Sequence, residues 1–260
     1  MVDQIPNLGR ESEMLAEIGL SSIDDLFTNI PEGVRRSAPL PLPPPQSEEE
    51  ILADAQRLLG TNVDLDCRPS FLSAGLSRNF VPTMVPMLAT RGEFLTSYTP
   101  YQPEVSQGML QAMWEFQTMI SELVGLPIAN VSMYDASTSA AEAITCAVRV
   151  KSKKASQPDS VYISDLIPPH RMSVIENYTQ GVGISLHILP HNEDGTLDLQ
   201  AARSAEGSCA VYVEQPNALG QLDSGLFELR KAIGDHTSLI VGVDVVSLGV
   251  VQPPGEWGAD

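Results

Sequence analysis

The chain has 260 residues and carries 15 basic against 33 acidic side chains, a formal charge of −18. Hydrophobic residues at 43% and charged residues at 18% exclude wholesale disorder, and a chain this long can bury roughly 70–75% of its unfolded surface without a disulfide. The acidic excess excludes nucleic acid as the expected partner, because phosphate binding needs clustered Lys and Arg and the only basic run is Arg149-Val150-Lys151-Ser152-Lys153-Lys154.

The N-terminal stretch MVDQIPNLGRESEML has no basic region followed by an apolar one, so no signal peptide is expected. No apolar run approaches the length of a bilayer span. These features predict a soluble, cytoplasmic protein with no membrane partner. Glu11 to Ile18 reads as a short amphipathic helix ending at Gly19, and Ser21-Ser22-Ile23-Asp24-Asp25-Leu26-Phe27 starts another that serine can cap. Leu40-Pro41-Leu42-Pro43-Pro44-Pro45 reads as an extended polyproline connector. Ser47-x-x-Glu50 is a capping box that opens a helix to Leu59, stopped at Gly60. Residues 1–60 thus form a helical arm with a Pro-rich linker, and residues 61–260 a large domain.

Residues 69–91 read as loop-rich and 98–108 as turn-rich. From Met109 to Val124 the apolar spacing is helical with a wide buried face. Ile128–Met133 is a short apolar strand, followed by a helix over 139–151. Val161–Ser164, Ile184–Leu189, Cys209–Val213 and Ser238–Val243 are apolar strands, with helices over 169–178 and near 227–233. Such alternation predicts a doubly wound, mostly parallel α/β sheet. The C-terminal run Gly258-Ala259-Asp260 resembles the lead-in to a further core strand, so the domain is expected to be cut short there. Cys67, Cys146 and Cys209 are odd in number and widely spaced, and reduced thiols are the simplest reading.

Ligands of such sheets bind at the carboxyl ends of strands. Tyr134-Asp135-Ala136-Ser137-Thr138-Ser139 offers hydroxyls and helix-start amides to a phosphate. Asp135 opposes an anion there, and Ser139-x-x-Glu142 explains the same residues as a capping box. Glu214-Gln215-Pro216-Asn217-Ala218-Leu219-Gly220 can reach a ligand or simply turn the chain. Asp244 can face a protonated cofactor nitrogen or bond loop amides. His170, His187, His191 and His236 form no metal-ligand pair, and there is no Gly-x-Ser-x-Gly elbow. A pyridoxal enzyme needs one lysine amine in a dry pocket. Lys151, Lys153 and Lys154 crowd a helix end, and Lys231 lies beside Arg230, so none is placed for that role.

Tyr98-Thr99-Pro100-Tyr101-Gln102-Pro103-Glu104-Val105-Ser106-Gln107-Gly108 resembles the YTPYQPExSQG motif of the glycine cleavage system P-protein family. Phe71-Leu72-Ser73-Ala74-Gly75, Phe116–Gly125, Asn130-Val131-Ser132-Met133-Tyr134-Asp135, Glu214–Asn217 and Gln252–Asp260 fit the same family in register. Val131 departs from it by replacing a small residue. The likeness covers essentially the whole chain and is to the N-terminal half of the enzyme, subunit 1 where the enzyme is split.

The resemblance implies a fold type I large domain of the pyridoxal-phosphate transferases, with the C-terminal small domain missing. It also implies a subunit of the heteromeric glycine dehydrogenase (aminomethyl-transferring), an oxidoreductase system. That enzyme decarboxylates glycine and passes the aminomethyl group to the lipoyl arm of H-protein. The Schiff-base lysine and the pyridoxal phosphate belong to subunit 2, so this chain would hold no cofactor covalently, no metal and no catalytic residue of its own. Its partners would be subunit 2, lipoylated H-protein and the substrate glycine. Tyr98, Thr99, Tyr101, Gln102 and Glu104 become candidates for lining the cleft or the subunit interface, a tight structural turn being the other reading. The alternative function is a self-sufficient fold type I decarboxylase or lyase whose lysine follows residue 260.

Overall fold

A computed structural model describes residues 6–35, 40–63, 68–70, 78–95, 99–151, 153 and 156–260. The chain forms two compact units, Met1–Ser70 and Phe71–Asp260. Cys67 and Phe71–Gly75 lie outside the described residues.

In the first unit, α1 spans Glu11–Glu17 and α2 spans Glu48–Leu59. The expected box at the start of α2 forms: Ser47 N donates to Glu50 Oε2 (2.7 Å), and Glu50 N donates to Ser47 Oγ (3.3 Å). Ser22 and Asp25 make the same reciprocal pair at a 3-10 turn over Ile23–Phe27. The Pro-rich residues 40–46 adopt neither helix nor strand.

The second unit begins with α3 (Met84–Ala89) and α4 (Gly92–Leu95), in a region expected to be loop. Pro86 does not prevent α3 because it sits in the first turn, where an N–H has no intrahelical acceptor. Then come α5 (Gln107–Val124) and α6 (Ala136–Lys151). Gly125 ends α5 at φ 69°, the left-handed cap glycine favours. Two expectations need correction here. The face of α5 is only half-buried: Met109, Met113, Phe116, Ile120 and Val124 are partly covered and no residue of the helix is fully buried, since short elements are its main described neighbours. Ile128–Met133 is not a strand: among the described residues none pairs with it as a strand, and the Ala129 carbonyl accepts from Gln117 Nε2 (2.7 Å).

The sheet holds β1 (Gln157–Ser164), β2 (Ser185–Leu189), β3 (Ser208–Gln215) and β4 (Ser238–Val243), all parallel, in the order β2-β1-β3-β4. α7 (Pro169–Gln180) links β1 to β2, while α8 (Leu199–Ala202) and α9 (Leu229–Ile233) precede β3 and β4. Side chains alternate between two cores. Val161, Ile163, Ala210 and Tyr212 pack with Ala141, Ile144 and Ile175 of α6 and α7. Val211, Val213 and Leu239 pack with Ala202, Leu229 and Ile233 on the other face. All eight residues of β3 are buried, as a parallel strand covered on both faces requires. The expected α/β fold with a mostly parallel sheet is the observed one.

Candidate functional site

In the order β2-β1-β3-β4 the chain leaves β1 for one side and then returns to the other. The switch between β1 and β3 opens a crevice at the carboxyl ends of the strands. A cleft of ≈ 830 Å³ lies there, between β3, β4, α6 and the start of α7. α6 presents Ala136, Ser139, Ala140 and Ala143 to it, the i, i+3, i+4, i+7 stripe of one helix face. Small side chains on that stripe leave the volume empty.

The cleft wall carries a largely buried ion pair, Arg171 with Glu214. Tyr212 and Glu214 alternate along β3 and so share a face, and Arg171 reaches them from the first turn of α7. Arg171 Nη1 meets Glu214 Oε1 at 2.5 Å, and Tyr212 Oη donates to the same oxygen at 2.9 Å. Glu214 pairs across the ladder with Gly242, where an added Cβ would lie 2.7 Å from Tyr212 Oη. Only glycine leaves room for the phenol. Burial works against the Arg171 charge, yet Glu214 and Tyr212 outweigh it and hold the guanidinium above its ordinary value. Burial, then the Glu214 charge, pushes the Tyr212 phenol up, so it stays a neutral donor. Arg171 Nε is buried without a hydrogen-bond partner.

The loop after β3 is occupied with its own folding. The chain leaves the strand through a cis Gln215–Pro216 bond. Asn217 Oδ1 accepts from Leu219 and Gln221 N, and Asn217 Nδ2 donates to the Gly195 carbonyl (3.1 Å). Gln215 and Asp223 exchange two bonds at 3.2 and 3.0 Å. Asp244 lines the cleft at the end of β4, and its Oδ1 accepts from Val246 N (3.0 Å). That is the loop-amide reading of this acid.

At the start of α6, Asp135 Oδ1 accepts from Ser137 N (2.7 Å) and Thr138 N (2.9 Å). Asp135 therefore caps the helix, and the expected Ser139/Glu142 box does not form, because the helix already begins at Ala136. The Thr138 amide chiefly, with Arg171 adding a smaller pull, holds the Asp135 carboxyl below its ordinary range. A cofactor phosphate would need those same amides. Among the described residues no lysine lines the cleft, and Lys231 pairs with Glu228 at 2.6 Å. The residues present thus do not fit a pyridoxal phosphate: its phosphate site is filled by a carboxylate and its amine is absent from the lining.

Of the residues singled out in the sequence, Tyr98 lies outside the described residues. Thr99 is half-buried and its carbonyl accepts from Ser106 Oγ (3.1 Å). Tyr101 is 86% exposed, and Gln102 and Glu104 flank Pro103 at the 3-10 turn Pro103–Val105. These four share one turn before α5 and are not among the cleft lining. Arg171 and Tyr212 went unnoticed in the sequence. The Tyr-x-Glu spacing on a strand, with period two, was the available signal for the phenol. Nothing local announced the arginine, which is brought there by the β1–α7 connection. Among the described residues no group of three or more His, Cys, Asp or Glu comes together as a metal site. Cys146 and Cys209 are both free.

A sequence model of the family described as "Glycine cleavage system P-protein" matches residues 5–260. The chain is 43% identical over 258 residues to a "Probable glycine dehydrogenase (decarboxylating) subunit 1" from Thermococcus kodakarensis, covering 98% of this chain and 56% of that relative. A relative of the same name from Listeria welshimeri is 42% identical over 254 residues, with coverage of 96% and 55%. The crystal structure of a glycine decarboxylase (P-protein) of the glycine cleavage system, in inhibitor-bound form, superposes with a TM-score of 0.81 at 40% identity. It covers all of this chain and 57% of that one. The chain therefore spans about half the length of the relatives it matches.

Proposed function

The chain belongs to the glycine cleavage system P-protein family, and on that premise we propose that it serves as subunit 1 of a split glycine decarboxylase. In this reading it pairs with a subunit 2 chain, and the pair decarboxylates glycine and passes the aminomethyl group to the lipoyl arm of H-protein. Pyridoxal phosphate, carried by subunit 2, supplies the electron sink for the carbanion. The cytoplasm is the setting that goes with such an enzyme. Among the described residues no helix is long and apolar enough to cross a membrane.

The observation that carries the proposal is the cleft. It stands at the ligand-binding edge of the sheet, yet among the described residues it has no lysine in its lining, and an aspartate sits on the amides a phosphate would use. A chain built this way shapes a site and leaves the covalent chemistry to another. The Arg171–Glu214–Tyr212 cluster holds the wall rigid and keeps its charges paired within the protein. Thr99, Tyr101, Gln102 and Glu104 belong, in the same proposal, to the surface that meets the partner. The self-sufficient alternative is not favoured, since the matching relatives are named as subunit 1.

The test mixes this chain with its cognate subunit 2 and lipoylated H-protein and follows carbon dioxide release from glycine. Release is expected from the mixture and from neither chain alone. Borohydride reduction in the presence of pyridoxal phosphate should label subunit 2 only. A label on this chain, or a mixture no more active than subunit 2 by itself, overturns the proposal.

A further inference from the structure

The cleft at the carboxyl ends of the strands has a lining whose chemistry the reaction proposed above leaves unused. One wall is the Ala136, Ala140 and Ala143 stripe of α6, and Ile240, Val243 and Leu219 add apolar surface around it. Gly242 contributes no side chain, and the cleft holds ≈ 830 Å³. Small-molecule sites span about 300–1,000 Å³. Walls of this kind take the apolar body of a small ligand, and the few polar groups among them decide its charge.

Among the described residues, Arg171, Glu214, Asp244 and the exposed His170 are the lining side chains able to carry charge. Arg171 is already engaged with Glu214, whose bonded oxygen also accepts from Tyr212 Oη. Asp244 is left over. Its Oδ1 accepts from Val246 N (3.0 Å), and among the described residues its Oδ2 is uncommitted. Asp135, next to Ala136, adds a further carboxylate that Arg171 feels. One cation, Arg171, thus stands against three carboxylates, Glu214, Asp244 and Asp135, in a chain of charge −18. An entering anion meets the two remaining carboxylates and finds its one possible counter-ion taken. An entering cation meets the open oxygen of Asp244. We propose that this cleft is a noncovalent site for a small organic ammonium ion, its apolar body between the α6 alanines and β4 and its nitrogen on Asp244. This assignment rests on the subunit 1 reading only in placing the covalent cofactor on the other chain.

Isothermal titration calorimetry on the full chain tests this with three probes built on one benzene ring: benzylamine, benzyl alcohol and benzoate. At neutral pH they are a cation, a neutral molecule and an anion. Benzylamine is expected to bind about tenfold more tightly than the alcohol, and benzoate more weakly than either. Asp244→Asn keeps an acceptor for Val246 N and should remove most of the amine's lead while sparing the alcohol. Ser139→Leu, at an exposed lining position, should weaken amine and alcohol alike. Glu176→Gln removes the same charge from an exposed position of α7 outside the lining and should change nothing. Thermal melts check that each variant keeps the wild-type fold. Binding of benzylamine should persist when cognate subunit 2 is added. Equal affinity for amine and alcohol overturns the proposal, as does a lead that survives in Asp244→Asn, no heat from any probe, or loss of amine binding in the complex. A chain that prefers the amine as expected but forms no complex with subunit 2 removes the subunit 1 reading and leaves the ligand class standing.

Discussion

Helices α5 and α6 are consecutive and of similar length, 18 and 16 residues, yet they are buried to opposite degrees. α5 owns the large apolar side chains, with Phe116, Trp114 and four methionine or isoleucine positions near them, and has no buried residue. α6 is made mostly of alanine, serine and threonine, and seven of its residues are buried, with Ile144 at 0% exposure. The difference lies in what each helix rests on. α6 lies across β1, β3 and β4 and packs along α7, and its small side chains allow that close approach. Among the described residues α5 rests chiefly on the short α4 and on 3-10 turns, with its C-terminal end against the turn at Pro253–Glu256. Amphipathicity prepares a helix for burial, but the opposing surface decides whether burial happens.

The largest effect should come from cutting into the closed helix. Ile144→Ala removes a side chain wholly inside the α6–sheet core and is expected to cost about 2–5 kcal/mol in urea unfolding. Phe116→Ala deletes a larger group from the half-open face of α5 and should cost less than half as much in the isolated chain. Equal losses from the two substitutions in the isolated chain would break the comparison, since α5 would then be as well packed as α6.

A smaller effect probes how tightly the cleft wall under α6 is fitted. Gly242→Ala places a methyl 2.7 Å from Tyr212 Oη and 3.1 Å from Glu214 Cγ, and overpacking of this kind costs about 1–3 kcal/mol. In a Tyr212→Phe background the nearest atom is gone, and the same substitution should be milder. A double-mutant cycle on unfolding free energy reads the coupling. Strict additivity would mean that the phenol is not what demands glycine at this place.

Much of this arrangement was legible in the sequence. Apolar runs gave the places of the four parallel strands, most plainly for β3, because a strand buried on both faces leaves a continuous hydrophobic trace, although β1 begins four residues before the expected Val161 and β3 runs past its expected ends. The Ser47 and Glu50 box gave the start of α2, because capping is a local matter. Three features depended on distant partners and were misread or missed. The run Ile128–Met133 has the composition of a strand but, among the described residues, no strand to pair with. The α5 pattern says nothing about whether a covering surface exists within the chain. Arg171 meets Glu214 only because α7 crosses the sheet there. At the start of α6 two chemically plausible caps competed, and the choice of Asp135 over Ser139 moved the helix start three residues earlier, from 139 to 136.

The smallest effect sharpens the comparison at the helix starts. α5 begins at Ser106 without a side-chain cap, whereas α6 is capped by Asp135, whose carboxyl the Thr138 amide, then that of Ser137, holds below the ordinary 3.8. A carboxylate with a lowered folded value stabilises fully above its unfolded value and loses that contribution as pH falls through the folded one. Asp135→Ala should therefore lower the melting temperature slightly at neutral pH and match the wild type once both are well below pH 3.8. Asp135→Asn keeps an acceptor for the two amides without a titrating group, so its difference from the alanine variant should persist into acid. Melts of the three proteins across that range separate the two effects. If the wild-type advantage over Asp135→Ala does not shrink in acid, the charge at the α6 start contributes nothing, and the cap acts through its hydrogen-bond acceptor alone.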